Sequence, residues 1–153
     1  MQETGQNPTC RVVRAEKTFG GKQGLDYLEG ITAESVGAGA ICMHVLTMPP
    51  GARAKAHKHD SHETAIYVID GEAHMWYGDN LEHHRITKAG DMVYMPANVP
   101  HMPANLSDKP CTSVIARTDP NEQESVTLLP ELDAIADKAI TKILAERAGK
   151  DAA

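Results

Sequence analysis

The chain has 153 residues, 41% of them hydrophobic but only 4% aromatic, with a formal charge of −6 at pH 7 and an isoelectric point near 5.7. That length suits a single domain, whose core must be filled mainly by Val, Ile, Leu, Met and Ala. The acidic balance argues against a nucleic-acid or anionic-membrane partner, and no apolar run approaches the ~20 residues of a membrane span.

The N-terminal stretch MQETGQNPTCRVVRAEK has no hydrophobic run behind a basic start, so no secretory signal is expected. Cys10, Cys42 and Cys111 are odd in number and widely spaced. They read as reduced, mostly buried thiols, which points to a cytoplasmic protein.

In chain order, residues 1–9 read as a loose polar arm and Cys10–Arg14 as an edge strand. Thr18 to Gly24 carries three glycines in seven residues and reads as a loop. Strand character follows at Tyr27–Ala33 and more clearly at Ala40–Met48, which Pro49-Pro50-Gly51 ends because Pro cannot donate to a ladder. His44 inside that strand is expected to be a packed histidine with its polar atoms satisfied. Thr64–Ile69 and Glu72–Tyr77 flank Asp70-Gly71, a short-range hairpin signal. Further strands are expected at His83–Thr87, Met92–Met95 and Thr112–Arg117, with a turn at Lys88–Asp91. His74, His83 and His84 read as surface or rim residues.

Short strands separated by Gly, Pro, Asn and Asp, with no helix between them, indicate an all-β barrel or sandwich. The period then changes. Leu132, Ile135, Ala136, Ala139, Ile140, Ile143 and Leu144 fall on one stripe of an amphipathic helix over residues 131–148. Pro130 precedes it, where a missing N–H costs nothing, and Gly149 is expected to stop it. The domain reading is a single β-barrel over residues 1–126, N-terminal arm and strands included, and a C-terminal helical extension over residues 127–153.

The chemistry concentrates in Gly51–Gly71. His57 and His59 are two apart, and side chains at i and i+2 of a strand share a face, so both imidazoles aim at one point while Lys58 faces away. Neutral imidazole is the commonest protein metal ligand, although His-x-His also occurs on solvated edge strands. A second stretch contains Gly90, Pro96, Asn98, His101 and Asn105.

This pair of stretches resembles the cupin superfamily. The first is similar to its motif G(X)5HXH(X)3–4E(X)6G at Gly51, His57 and His59. The second is similar to G(X)5PXG(X)2H(X)3N at Gly90, Pro96, His101 and Asn105, with Asn98 where the family has Gly. Asn tolerates positive φ better than other non-glycine residues, so the turn should survive. The resemblance implies a small jelly-roll barrel with a C-terminal α-helix, and a metal held at the barrel mouth by His57, His59 and His101.

The family's carboxylate position falls on Thr64, counted back from Gly71. Glu63 obeys the shorter spacing from His59 but lies one residue out of phase, so it reaches the metal only if the strand bulges or begins late. His62 shares the pleat phase of Thr64. The fourth ligand is therefore Glu63, His62 or water. One divalent ion is implied, and Zn, Fe, Mn, Ni and Cu all remain compatible.

The expected partner is a small polar organic molecule that chelates the metal. Two chemistries fit: oxygen insertion of the dioxygenase type, or isomerase/lyase chemistry in which Tyr67, Tyr94 or another nearby Tyr, His or Glu63 moves a proton. The alternative is a non-catalytic small-molecule-binding cupin. Exposed edge strands lead to the expectation of a homodimer.

Overall fold

The computed structural model describes residues 9–152, apart from the side chains of Glu122 and Glu124. The expected arm at residues 1–9 lies almost wholly outside the described residues. The chain runs β1 (Thr18–Gly20), β2 (Asp26–Ile31), α1 (Ala33–Val36), β3 (Cys42–Met48), β4 (His57–His59), β5 (Thr64–Asp70) and β6 (Glu72–Tyr77). It continues as β7 (His83–Lys88), β8 (Met92–Met95), β9 (His101–Ala104), β10 (Cys111–Arg117), a 3-10 turn at Glu122–Ser125, β11 (Val126–Leu128) and α2 (Pro130–Asp151). The strands form a six-stranded sheet, β1-β2-β3-β10-β5-β8, facing a five-stranded sheet, β11-β4-β9-β6-β7. This is the all-β jelly roll with a C-terminal helix.

Alternation fixes which residues line the interior. In β10, Cys111, Ser113, Ile115 and Arg117 are buried, while Thr112, Val114 and Ala116 are only half covered on the other face. Their register with β3 is unbroken from Cys111↔Met48 to Arg117↔Cys42. The interior core gathers Leu25, Tyr27, Leu46, Met48, Val68 and Ile115. Each such side chain contributes about 1.5–3 kcal/mol by leaving water. A second core lies between the outer face of the five-stranded sheet and α2, where Leu132 and Ala136 meet Trp76, Leu81, Met102 and Ala104. The helix thus covers its own barrel.

Several local expectations change. Asp70-Gly71 makes no hairpin: β5 pairs with β10 and β8, and β6 pairs with β7 and β9. Only Gly71 separates the two strands, too little for a two-residue hairpin loop, so the chain turns a corner from one sheet to the other. Gly71 has φ 80°, and a Cβ there would collide with the Pro110 carbonyl and the Cys111 backbone.

Cys10–Arg14 forms no strand, and Cys10 is exposed while Cys42 and Cys111 are buried. The edge strand comes instead from the Gly-rich stretch, because Phe19 stacks on Tyr27 with ring centres 5.4 Å apart and anchors Thr18–Gly20 beside β2. Strands β9 and β11 had no counterpart in the sequence reading. Gly149 does not stop α2, which continues to Asp151; glycine costs a helix only about 1 kcal/mol, and no positive φ is imposed there. Among the described residues, no helix is long and apolar enough to cross a membrane.

Candidate metal centre

Strand β4 turns His57 and His59 inward, each 3% exposed, with Lys58 on the opposite face. Strand β9 lies antiparallel to β4 with His101 directly opposite His57. The turn before β9 is held by Asn98, which takes φ 65° as its glycine-like position requires and donates its N–H to the His59 carbonyl at 2.8 Å. Asn105 is fully buried and locks the other end, donating through Nδ2 to the carbonyls of Met48 and Lys109. The second sequence stretch is thereby tied to the first.

Three imidazoles converge as a result. The candidate ligand atoms of His57, His59 and His101 lie within 4.8 Å of one another. Ring centres are 4.3 Å apart for His57 and His101, and 5.1 Å for His59 with either neighbour.

Tautomers follow from the hydrogen bonds. His57 Nδ1 lies 2.7 Å from the Lys55 carbonyl and His101 Nδ1 lies 2.9 Å from that of Val99. A carbonyl only accepts, so each Nδ1 carries the proton and each Nε2 keeps its lone pair, as a metal ligand needs. His59 is buried with neither ring nitrogen hydrogen-bonded. Leaving a buried polar atom unmet costs roughly 1–3 kcal/mol, which a cation would offset.

The electrostatics agree. Burial pushes the His57 pKa down from 6.5 to about 4, with the Lys55 hydrogen bond opposing and Arg117 assisting. Burial also lowers His59, helped by the charges of His101, Arg117, His57 and His62. His101 is held well below its ordinary value, first by burial and then by His57. All three are neutral at pH 7, the state that binds a metal. The residues present fit one divalent ion.

The three positions considered for the fourth ligand separate clearly. Glu63 lies outside the barrel, where its carboxylate accepts a 2.6 Å hydrogen bond from the Tyr94 hydroxyl, so no bulge delivers it to the histidines. Thr64 is inward, 1% exposed, with its hydroxyl unbonded. His62 is 2% exposed, its ring centre 4.5 Å from that of His59. Its Nδ1 lies 2.6 Å from the Ser125 hydroxyl and 3.5 Å from an Asp119 carboxylate oxygen. It stands outside the group of three, adjacent to it. The two tyrosines expected to move protons point away: Tyr67 is 45% and Tyr94 65% exposed on the outer face of the six-stranded sheet.

Asp119 and Ser125, which hold His62, escaped the sequence reading because they lie beyond the last expected strand. Arg117 was missed as well. It is 4% exposed and lines the inner cavity with His57 and His101. Its inward phase with Ser113 and Ile115 was the available signal.

His44 is buried as expected, with Nδ1 accepting from the Gly30 N–H at 3.4 Å. His83 is at the surface, but His74 is 1% exposed beneath α2. Its Nδ1 is 2.9 Å from His84 Nε2, and its Nε2 is 3.2 Å from an Arg147 nitrogen.

Comparison with known proteins agrees with this fold. Residues 44–116 match the family model described as a cupin domain. An uncharacterized protein of Methanocaldococcus jannaschii is 26% identical over 83 residues, covering 54% of this chain and 63% of its own length. A sugar phosphate isomerase of the cupin superfamily from Silicibacter pomeroyi superposes with a TM-score of 0.52 at 21% identity, over 61% of this chain and 58% of that one. The oxalate decarboxylase of Lactobacillus farciminis, in its formate complex, gives 0.62 at 20% identity over 74% of this chain and 33% of that one. The chain thus spans less than two thirds of each of these three proteins, and the structural likenesses establish the fold.

Proposed function

We propose that this cupin domain holds one divalent transition metal on His57, His59 and His101 and acts on a small polar organic molecule that chelates it. The carrying observation is His59: a fully buried imidazole with both nitrogens unbonded, beside two others whose Nε2 lone pairs are freed by their backbone bonds. When bound, the metal supplies Lewis-acid polarisation of a substrate oxygen or a centre for oxygen chemistry.

The chain's own residues supply the rest. His62, held from Nδ1 by Ser125 and Asp119, is the group best placed to receive or return a proton beside the ligands. Apolar walls from Leu46, Met48, Ile66, Val68 and Ile115 keep bulk water out. The two structural relatives, a sugar phosphate isomerase and an oxalate decarboxylase, both concern small oxygen-rich molecules, which supports the substrate class without choosing the reaction. The mostly apolar cavity wall also supports a second reading, a metal-free small-molecule binder.

Metal analysis of protein purified without an affinity tag separates them. About one transition metal per chain, lost in His101→Ala while the barrel stays cooperatively folded, is the expected result. Metal-free parent protein that cannot be loaded would leave the binder.

A further inference from the structure

We propose that the outer face of the six-stranded sheet is a docking surface for a second copy of this chain, the two sheets packing face to face across a two-fold axis. The barrel's two sheets are finished differently on the outside. The five-stranded sheet is covered by α2, whereas the six-stranded sheet turns two continuous apolar rows outward. One row is Leu28, Val45, Val114, Tyr67 and Met92, each directly opposite the next on the neighbouring strand. The second, one pleat along, is Met43, Ala116, Ala65 and Tyr94. Neither row contains a charge, and the flanking Thr47 and Thr112 bond each other through their hydroxyls at 3.0 Å. An antiparallel sheet that faces water ordinarily puts polar residues outward. Here Met92 is 83%, Tyr94 65% and Tyr67 45% exposed.

The area suits a stable dimer. At about 200 Å² for a side chain of this size, Met43, Tyr67, Ile69, Met92 and Tyr94 together expose roughly 550 Å². That is about two thirds of the ~800 Å² each partner gives to an interface of standard size. Thr47, Ala65 and the half-covered Val45, Val114 and Ala116 supply the remainder.

Charge and shape decide the occupant. A lipid surface or a nucleic acid would want basic residues on this face, and the only basic residue of β3, β5, β8 and β10 is the inward Arg117. A peptide that adds as a strand takes an edge rather than a face. The edges are blunted: β1 and β11 have three residues, β8 has four, and β7 carries Arg85 and Lys88. The same blunting disfavours the edge pairing expected from the sequence. A second copy brings an identical uncharged face, which a two-fold axis lays on itself without opposing like charges, although each chain carries −6. Tyr67 and Tyr94 become its anchors, with the Tyr94 hydroxyl kept at the rim by Glu63.

Sedimentation equilibrium of the full chain tests this. Between about 1 and 100 µM the mass is expected to reach twice the 16.5 kDa of one chain. Tyr67→Lys and Met92→Lys each bring two like charges into the two-fold contact and should weaken the dimer by more than about a hundredfold. Leu144→Lys, at an exposed position of α2, should leave it unchanged. The near-UV spectrum of Trp76, the single tryptophan, buried beneath α2, verifies folding of each variant. An uncharged contact should also hold its affinity within about threefold between about 0.05 and 0.5 M NaCl.

Parent protein that stays monomeric at the top of the concentration range overturns the proposal, and this measurement needs no variant. A dimer that survives in folded Tyr67→Lys and Met92→Lys overturns it too, as does one lost only in Leu144→Lys, which would put the contact on α2. Dissociation by salt would show that the contact is ionic and not this face.

Discussion

Among the described residues, two histidine clusters contain buried rings, His57, His59 and His101 in one and His74 beside the half-buried His84 in the other, and they differ in one respect that matters. Beneath α2, His74 has both nitrogens engaged, one with His84 and one with Arg147, and its ring stacks near Trp76 with centres 5.6 Å apart. An arginine can only donate, so His74 Nε2 accepts, Nδ1 carries the proton, and His84 Nε2 accepts in turn. Every lone pair in that chain is spoken for. Inside the barrel, His57 and His101 are tied only at Nδ1, and His59 at neither nitrogen. Burial is common to both clusters; free lone pairs converging on one point occur only in the inner one. Unmet hydrogen-bonding capacity, rather than burial or histidine count, marks the candidate ligand site.

The largest expected effect tests that contrast directly. His59→Ala or His101→Ala should weaken metal binding by more than about a hundredfold, beyond the usual 10–100-fold cost of losing an outer-shell partner. His74→Ala and His84→Ala should leave metal content unchanged. Plasma emission analysis of the four proteins is sufficient, and metal loss in the outer pair would erase the distinction.

Acid should act next most strongly, on metal-free protein. The unfolded chain protonates its histidines near 6.5, whereas folded His57 holds out to about 4. Between these values the unfolded state binds more protons, so stability present above pH 6.5 is lost as pH falls toward 4, by on the order of 3 kcal/mol from this residue. Urea unfolding at pH 7, 5.5 and 4.5 measures it. A midpoint that does not fall across that series would show that His57 is not held neutral by burial.

For the outer cluster the expected consequence is structural. His74→Ala removes a buried ring and a hydrogen-bond partner of Arg147 on α2, costing about 2 kcal/mol in thermal or denaturant unfolding with metal binding intact. The smallest effect is expected at Glu63. Because its carboxylate is on the outer face with Tyr94, Glu63→Gln should change metal affinity by less than about twofold. A sharp loss there would mean that the loop before β5 rearranges when metal enters. His62→Gln completes the comparison: a clear loss makes His62 a ligand, and an unchanged affinity leaves it as the adjacent proton-handling group.

Much of this was legible in the chain because it depends on local geometry. A spacing of two puts His57 and His59 on one face of any strand, and the Asn98 position calls for a residue that tolerates positive φ. The short-strand pattern followed by the stripe from Leu132 to Leu144 gave the barrel and its helix. Partner choice was not legible. Asp70-Gly71 carries the same turn chemistry whether β6 folds back on β5 or crosses to the other sheet, and only closure of the jelly roll selects the second. Pro103 hid β9 from the strand pattern, since a proline inside a ladder argues locally against one. The same limit governs the site. Glu63, Thr64 and His62 are adjacent in sequence, and their fates were settled by residues far along the chain: Tyr94 draws Glu63 outward, while Asp119 and Ser125 hold His62 at the histidines. The sequence by itself determined which side chains share a strand face, because the pleat repeats every two residues. Only the tertiary structure decided which faces meet, because strand pairing and burial are set by contacts between residues distant in sequence.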